Sequence, residues 1–233
     1  MTPPHICIVI PTYNEVESIK HLIISIKENL SGYYIHIFVV DDGSTDGTRE
    51  AVPHFDIDFN IEVINRGKRN GFGSALVEGL KTALVLKPSS VVTMDADLSH
   101  DPCEISNLVA LSTPGAIVLG SRYINGGSYK GFNFPRRQVS LVANWLAKSL
   151  VKGVSDCTSG FRCYAPDVIE AILPKLNSVG YDIQVESLFY ASRLGFNIVE
   201  TPIHYRRRFG GKSKLSLIEI LRFMNLISRL DFY

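Results

Sequence analysis

Residues Met94–His100 read MDADLSH and follow the apolar run SSVVT. Asp95 and Asp97 are two carboxylates separated by one alanine at the end of a strand-like segment. An aspartate in that place is costly unless something pairs with it, and two so close repel each other. Hard carboxylate oxygens at this spacing suit a divalent cation, Mg2+ or Mn2+, which takes one or two carboxylates and completes its shell with substrate phosphates. The pair therefore reads as a metal site that also engages a pyrophosphate. The chain has no GxxxxGK[ST] segment, so phosphates are not held in the NTPase manner.

Two further polar clusters share this placement. PTYNE (11–15) follows the apolar run HICIVI, and DDGSTDGT (41–48) follows IHIFVV. Each has a plainer reading. DDGSTDG alone is a turn that caps a helix, at about even odds, and PTYNE alone is a helix start with Asn14 or Thr12 as its cap. NGFGSA (70–75) lacks GxGxxG and is weak as a phosphate loop. The run Arg206–Arg208 reads equally as a solvated edge.

The elements that must hold these clusters alternate. Strands are expected at 5–10, 35–40, 61–64, 90–94 and 116–120. Helices are expected over 15–30, 74–86, 139–151, 182–194 and 215–230, where apolar residues recur at three- and four-residue spacing. Continuous apolar strands alternating with helices imply an α/β fold: a single Rossmann-like, mainly parallel mixed sheet with helices on both faces. In such sheets ligands bind beyond the carboxyl ends of the strands, where all three clusters fall.

With 233 residues, of which 45% are hydrophobic, the chain can bury a sizeable core. A net charge of +1 argues against bulk nucleic-acid binding. Cys7, Cys103, Cys157 and Cys163 form no CxxC pair and read as reduced, in a cytoplasmic setting. The first residues carry no basic n-region, their apolar run is too short for a signal peptide, and no stretch reaches the length of a membrane span.

PTYNE, VVDDGSTDGT, MDADLSH, GSRYINGG, RRQVS, SDCTSGFR and RRFGGKSK occur in this order. Together they resemble the family 2 glycosyltransferases of GT-A fold, and within them the polyprenol-phosphate branch. The match runs from Ile8 to about Leu215. MDADLSH with the late RxxGxSKL is the more particular signature. The resemblance implies one GT-A domain over 1–233, with a donor half (1–120), an acceptor half (121–214) and a C-terminal amphipathic helix (215–230). Pro11, Tyr13, Glu15, Val40 and Asp42 would hold the nucleotide. Asp95, Ala96 and Asp97 would hold the donor diphosphate, with Asp95, Asp97 and Ser99 around the metal. Arg122, Arg136 and Ser140 would grip the acceptor phosphate. Arg208, with Arg207 as a rival, and Lys214 would clamp the donor diphosphate, and Gly210 and Gly211 would let that loop move. Val142 stands where the family usually has glycine.

The activity so implied is inverting transfer of a hexose, mannose from GDP-mannose before glucose or N-acetylglucosamine from a UDP-sugar, onto dolichyl or polyprenyl phosphate. The expected catalytic set is Asp97, Arg122, Arg136, Ser140 and Arg208. A lipid phosphate is already an anion and needs no general base. Metal and arginines then stabilise the departing nucleoside diphosphate. Should a base be used, Asp182 and Glu186 are the candidates. Glu186 is expected to face the cleft, although acids four residues apart on a helix are ordinarily solvated. A transferase acting on a sugar hydroxyl would need a late catalytic acid and often QxxRW. The single tryptophan, Trp145, is not in that context. A non-enzymatic nucleotide-binding module would leave the late arginines without purpose. The acceptor is a lipid, so the protein is expected to lie peripherally on the cytoplasmic face of a membrane, with or without a membrane anchor subunit. In the last helix Leu217, Ile218, Leu221, Met224 and Ile227 are expected to form the lipid-facing side, and Glu219, Arg222, Asn225 and Arg229 the opposite one. The same pattern equally suits a helix packed on the protein's own core, the slightly commoner case for a single helix, and the lipid acceptor tips the balance.

Overall fold

The structure is a computed structural model and describes residues 3–53, 59–129, 134–209 and 216–230, without the side chains of 134–137 and 139. The first apolar run is β1 (His5–Thr12), and the second is β2 (Tyr34–Asp41). β3 (Phe59–Asn65), β4 (Ser90–Thr93), β5 (Ala116–Ser121), β7 (Arg162–Tyr164) and β8 (Asn197–Pro202) join them in one seven-stranded sheet of order β3-β2-β1-β4-β7-β5-β8. All pairings are parallel except those of β7, which runs antiparallel between β4 and β5. A separate two-stranded ribbon pairs β6 (Ser128–Tyr129) with β9 (His204–Tyr205).

The sheet is buried on both faces, which is why its central strands are apolar throughout. Alternate residues of β1 serve opposite sides: Cys7 and Val9 belong to one core cluster, and Ile6, Ile8 and Ile10 to the other. The first cluster takes in α2 (Phe72–Val85), α5 (Pro166–Ile172), α6 (Ile183–Arg193) and parts of α4 (Phe134–Leu150) and α7 (Leu217–Leu230). The second takes in α1 (Ile19–Asn29) and α3 (Ile105–Ala110).

The five expected strands are all present. β7 and β8 were not anticipated. β7 is three residues long and opens on an arginine, whereas β8 is a half-exposed edge strand containing Glu200 and Pro202. The helix after PTYNE starts later than expected, at Ile19 with Ser18 before it, so neither Asn14 nor Thr12 caps it. All four cysteines are free. Among the described residues no helix is long and apolar enough to cross a membrane.

The last helix combines both readings of its pattern. Leu226 and Leu230 are buried in the core and Phe223 packs against it. The polar side also faces the protein: Glu219 accepts the Tyr181 amide at 2.8 Å, and Arg229 pairs with Glu186 at 2.5 Å. Leu217, Ile218, Leu221 and Met224 are left exposed. Ile227, expected beside them, is only partly exposed.

Candidate active site

A single cleft of about 1260 Å³ opens at the carboxyl edge of the sheet. The polar clusters are bound to one another before any ligand is considered. Asn14, in the left-handed region at φ 51°, accepts the Thr45 amide through Oδ1, while its own amide donates to Ser44 Oγ. The Glu15 amide donates to Thr48 Oγ1 at 2.8 Å. PTYNE and DDGSTDGT are therefore one structure. The second cluster is a turn, in which Asp41 accepts the Ser44 amide, but among the described residues no helix follows it before β3, so it does not cap one.

On this side of the cleft Pro11, Tyr13 and Glu15 all line the wall. The Arg69 guanidinium lies 4.4 Å from the Tyr13 ring centroid. Asp42 also lines the cleft, but its carboxylate accepts from the Asn70 and Gly71 amides at 2.9 and 2.8 Å and from Arg66. It pins the 66–71 loop. Gly71, at φ +108°, allows the loop to turn into α2. Val40 does not line the cleft. It is fully buried under the sheet beside Gly79, where a Cβ would collide with it. Its expected place in the nucleotide site is corrected to the core.

Asp95, Ala96 and Asp97 line the centre of the cleft, directly beyond β4. Leu98 adopts φ +60°, an uncommon conformation for a branched residue, and the tight turn brings the Ser99 amide to Asp97 Oδ1 at 3.0 Å. Asp97 Oδ2 lies 3.1 Å from Arg208. The Arg208 side chain is mostly buried. Burial disfavours its charge, but Asp97, Tyr205, Asp95 and Glu15 overcome that and hold its pKa above the ordinary arginine value. The strap carrying it is fastened along the same turn, with the Arg206 amide on Ser99 O and the Phe209 amide on Asp97 O, at 2.9 and 3.0 Å. Two adjacent hard carboxylates facing an open cleft fit Mg2+ or Mn2+, which keep waters and take substrate phosphates. Ser99 fits less well. It is fully buried and does not line the cleft, and its Oγ has no hydrogen-bond partner among the described residues.

His100 supports this turn. Its Nδ1 accepts the Asp95 amide at 3.1 Å, and its ring stacks on Phe161. Tyr181, stacked on Phe72, closes the opposite wall. Burial and the neighbouring Asp95 hold its phenol well above the usual range.

The far end of the cleft was expected to grip the acceptor. Ser140 lines it, 2.9 Å from the Tyr123 hydroxyl. Arg122 lines it too, but its Nε and Nη2 both reach Asp156 at 2.7 Å, and Nη2 also meets Thr158. Asp156 is fully buried. Burial raises its pKa, but Arg122 more than offsets that and keeps it below the ordinary carboxylate range. Arg122 thus lines the cleft while its Nε and Nη2 are held in a buried ion pair with Asp156. Glu186 is corrected. It is fully buried, absent from the cleft wall, and accepts the Asn177 and Ser178 amides at 3.0 and 2.8 Å besides pairing with Arg229. Asp182 lines the cleft and accepts the Gly180 amide. The Arg136 side chain, Lys214, Gly210 and Gly211 lie outside the described residues.

Sequence reading missed Arg66, Arg69, Asp156, Thr158, Tyr181 and Gln184. Asp156 was available as the one acid of SDCTSGFR. Nothing in local sequence marks Gln184.

This arrangement, with nucleotide-type loops over β1 and β2, a carboxylate pair over β4 and a polar recess over β5, is the GT-A fold of nucleotide-sugar transferases. A solved structure with the same architecture is glucosyl-3-phosphoglycerate synthase from Mycobacterium tuberculosis, crystallised with Mn2+, uridine diphosphate and glucosyl-3-phosphoglycerate. It shares a TM-score of 0.69 and 23% identity over 97% of this chain and 78% of that one. The model of glycosyl transferase family 2 matches residues 7–173, and the chain belongs to that family. Polyprenol monophosphomannose synthase of Mycolicibacterium smegmatis is 36% identical over 90% of this chain and 80% of that protein. Dolichol-phosphate mannosyltransferase of Pyrococcus furiosus is 33% identical over 97% of this chain and 63% of that protein. Undecaprenyl-phosphate mannosyltransferase of Micrococcus luteus is 33% identical over 89% and 86%.

Proposed function

We propose that this chain is an inverting transferase that moves mannose from GDP-mannose onto a dolichyl or polyprenyl phosphate at a membrane surface. The observation that carries this reading is the order of groups along one cleft, from Tyr13 through Asp95 and Asp97 to Ser140. That order matches the order of parts in a nucleotide diphosphate sugar facing a phosphate acceptor. The relatives' names supply the acceptor class and the sugar. The donor half is 1–120, the acceptor half 121–214, and both belong to one domain over 1–233.

Tyr13, Pro11 and Glu15 bind the nucleoside, while Asp42 keeps the 66–71 loop against it. Asp95 and Asp97 hold Mg2+ or Mn2+, which supplies charge stabilisation for the leaving diphosphate when bound. Arg208 moves from Asp97 to the diphosphate as donor binds, because a phosphate offers its guanidinium a bidentate partner. Ser140 and Arg136 receive the lipid phosphate. Arg122 orders that recess through Thr158. A phosphate oxygen attacks the anomeric carbon without losing a proton, so the absence of Glu186 from the cleft wall costs the reaction nothing. A sugar hydroxyl as acceptor would need a base, for which Asp182, on the cleft wall, is the remaining candidate.

The exposed Leu217, Ile218, Leu221 and Met224 of α7, with the exposed Leu141, Val142 and Trp145 of the adjoining α4, form the membrane-facing side. Its Trp and aliphatic residues suit the headgroup boundary. The protein then lies on the cytoplasmic face, unaided or held by a membrane anchor subunit. The test is release of nucleoside diphosphate from GDP-mannose, GDP-glucose, UDP-glucose and UDP-N-acetylglucosamine, with and without polyprenyl phosphate. Release that requires the lipid phosphate and is fastest with GDP-mannose is expected. Lipid-independent release, or preference for a UDP-sugar, overturns the reading in its acceptor or donor part.

A further inference from the structure

The cleft contains an acceptor atom that nothing in the protein satisfies. Gln184, in the first turn of α6, lines the cleft and is only 4% exposed, yet its Oε1 has no hydrogen-bond partner among the described residues. A buried amide oxygen left alone is costly, and buried polar atoms are ordinarily satisfied. Cleft walls are where exceptions serve a ligand.

The sheet topology says which part of a ligand would meet it. Strand order places β1 and β2 on one side, then β4, β7 and β5. The nucleoside loops stand over β1 and β2, the Asp95–Asp97 pair over β4, and Arg122 and Ser140 beyond β5. Because β7 is antiparallel, its beginning lies at the carboxyl edge of β4 and β5: Arg162 is opposite both Thr93 and Leu119. The residues just before β7, Ser159 and Gly160, therefore lie between the diphosphate position and the acceptor position. In a nucleotide sugar, the group between the diphosphate and the attacking atom is the hexose.

Gly160 is the floor of this interval. A Cβ added to it would lie 3.1 Å from Gln184 Nε2 and 3.4 Å from Asp95 Oδ1. The Gln184 amide and the Asp95 carboxylate thus flank one glycine, and its missing side chain leaves the space between them open. The Gly160 carbonyl is turned away, accepting the Thr93 hydroxyl at 2.9 Å. On the acceptor side, Asn144 and Arg122 both reach Thr158, which fixes the start of the segment.

We infer that the Gln184 side-chain amide, whose Nε2 borders the space over Gly160, hydrogen-bonds a ring hydroxyl of the donor hexose there, and that this contact selects the sugar. The inference rests on the nucleotide-sugar reading given above. It adds the residue that distinguishes one hexose from another. A buried amide placed for a hydroxyl discriminates strongly against a donor lacking that hydroxyl, since the mismatched complex leaves the amide unpaired.

The experiment compares the full chain with Gln184→Met, a substitution of similar length without the acceptor, and with Gly160→Ala, which fills the floor. Calorimetry with GDP alone and with the GDP-sugar that the wild type turns over separates nucleotide from sugar recognition. GDP affinity is expected to stay within about twofold, while GDP-sugar affinity and kcat/KM fall by about tenfold or more in both variants. Preference between epimeric and deoxy donors should shrink by a similar factor in Gln184→Met. Equal losses for GDP and GDP-sugar would mean a structural role and overturn the inference, as would an unchanged donor preference in Gln184→Met with a thermal midpoint like the wild type's. A wrong sugar assignment shows itself already in the wild type's donor panel, whereas failure of this inference shows only in the variants.

Discussion

Two arginine–aspartate pairs face the same cleft and do opposite things. Arg122 and Asp156 meet through two contacts of 2.7 Å, with side chains 7% and 0% exposed. Arg208 reaches Asp97 through one contact of 3.1 Å, and its aspartate is one of the two carboxylates suited to a cation. The first pair is a fixed part of the wall, sealed by Thr158 and the Arg122 amide. The second has a competitor on each side, a cation for the aspartate and a diphosphate for the arginine. Residue type alone made both arginines look like phosphate binders. Burial and a bidentate carboxylate set Arg122 apart from Arg208, whose partner is a candidate cation ligand.

The sharpest way to break this contrast is Asp97→Asn. It should lower transfer by about 10³- to 10⁴-fold with little change in thermal midpoint, since a neutral amide cannot replace a carboxylate on Mg2+ or Mn2+. EDTA should do the same to the parent enzyme. Transfer that persists in excess chelator would end the metal reading.

Asp156→Asn should act on stability instead. It leaves Arg122 buried without a counter-charge, at about 3–5 kcal/mol by denaturant unfolding. The pH dependence has a definite sign. Asp156 titrates below its unfolded value, so its contribution is complete above about pH 4 and is lost as pH falls through its lowered folded pKa. The parent should therefore lose stability in acid more steeply than the variant. Parallel acid limbs would show that the pair is not the one responsible.

Arg208→Ala sharpens the comparison from the other side. Turnover should fall by about 10²-fold, the usual effect of removing one preorganised charge at a leaving group. Cation binding without donor should tighten, because the competing guanidinium is gone. Weaker Mn2+ binding in titrations of this variant would contradict the competition.

The smallest effect expected on stability is at α7, where ion pairs again hold the polar side inward. Leu217→Gln with Leu221→Gln, both exposed and off the cleft wall, should leave unfolding within about 0.5 kcal/mol of the parent, as exposed sites do. It should also reduce flotation with anionic liposomes and activity on long-chain acceptor. Leu226→Ala on the inner face should instead destabilise by about 2–5 kcal/mol. Equal flotation for parent and outer-face variant would leave membrane docking to other surfaces.

Much of this molecule was legible in the sequence. Apolar runs marked β1 to β5, because strands covered on both sides carry few polar residues. Carboxylates and turn residues at their ends marked Pro11, Tyr13, Glu15, Asp42, Asp95 and Asp97 as cleft residues, because strand ends are where the backbone runs out of partners. Local sequence could not reveal that β7 is antiparallel, since three residues beginning with a buried arginine carry no periodicity. That strand nonetheless sets what lies between the donor and acceptor ends of the cleft. Nor could spacing separate Arg122 from Arg208 or Glu186 from Asp182, because their availability depends on Asp156, 34 residues away from Arg122, and on Arg229, 43 residues from Glu186. The direction of α7 was likewise a tertiary decision. An amphipathic pattern specifies that a helix has two sides, but only the docking of Leu226, Leu230 and Glu219 determines which side the protein keeps and which it leaves exposed.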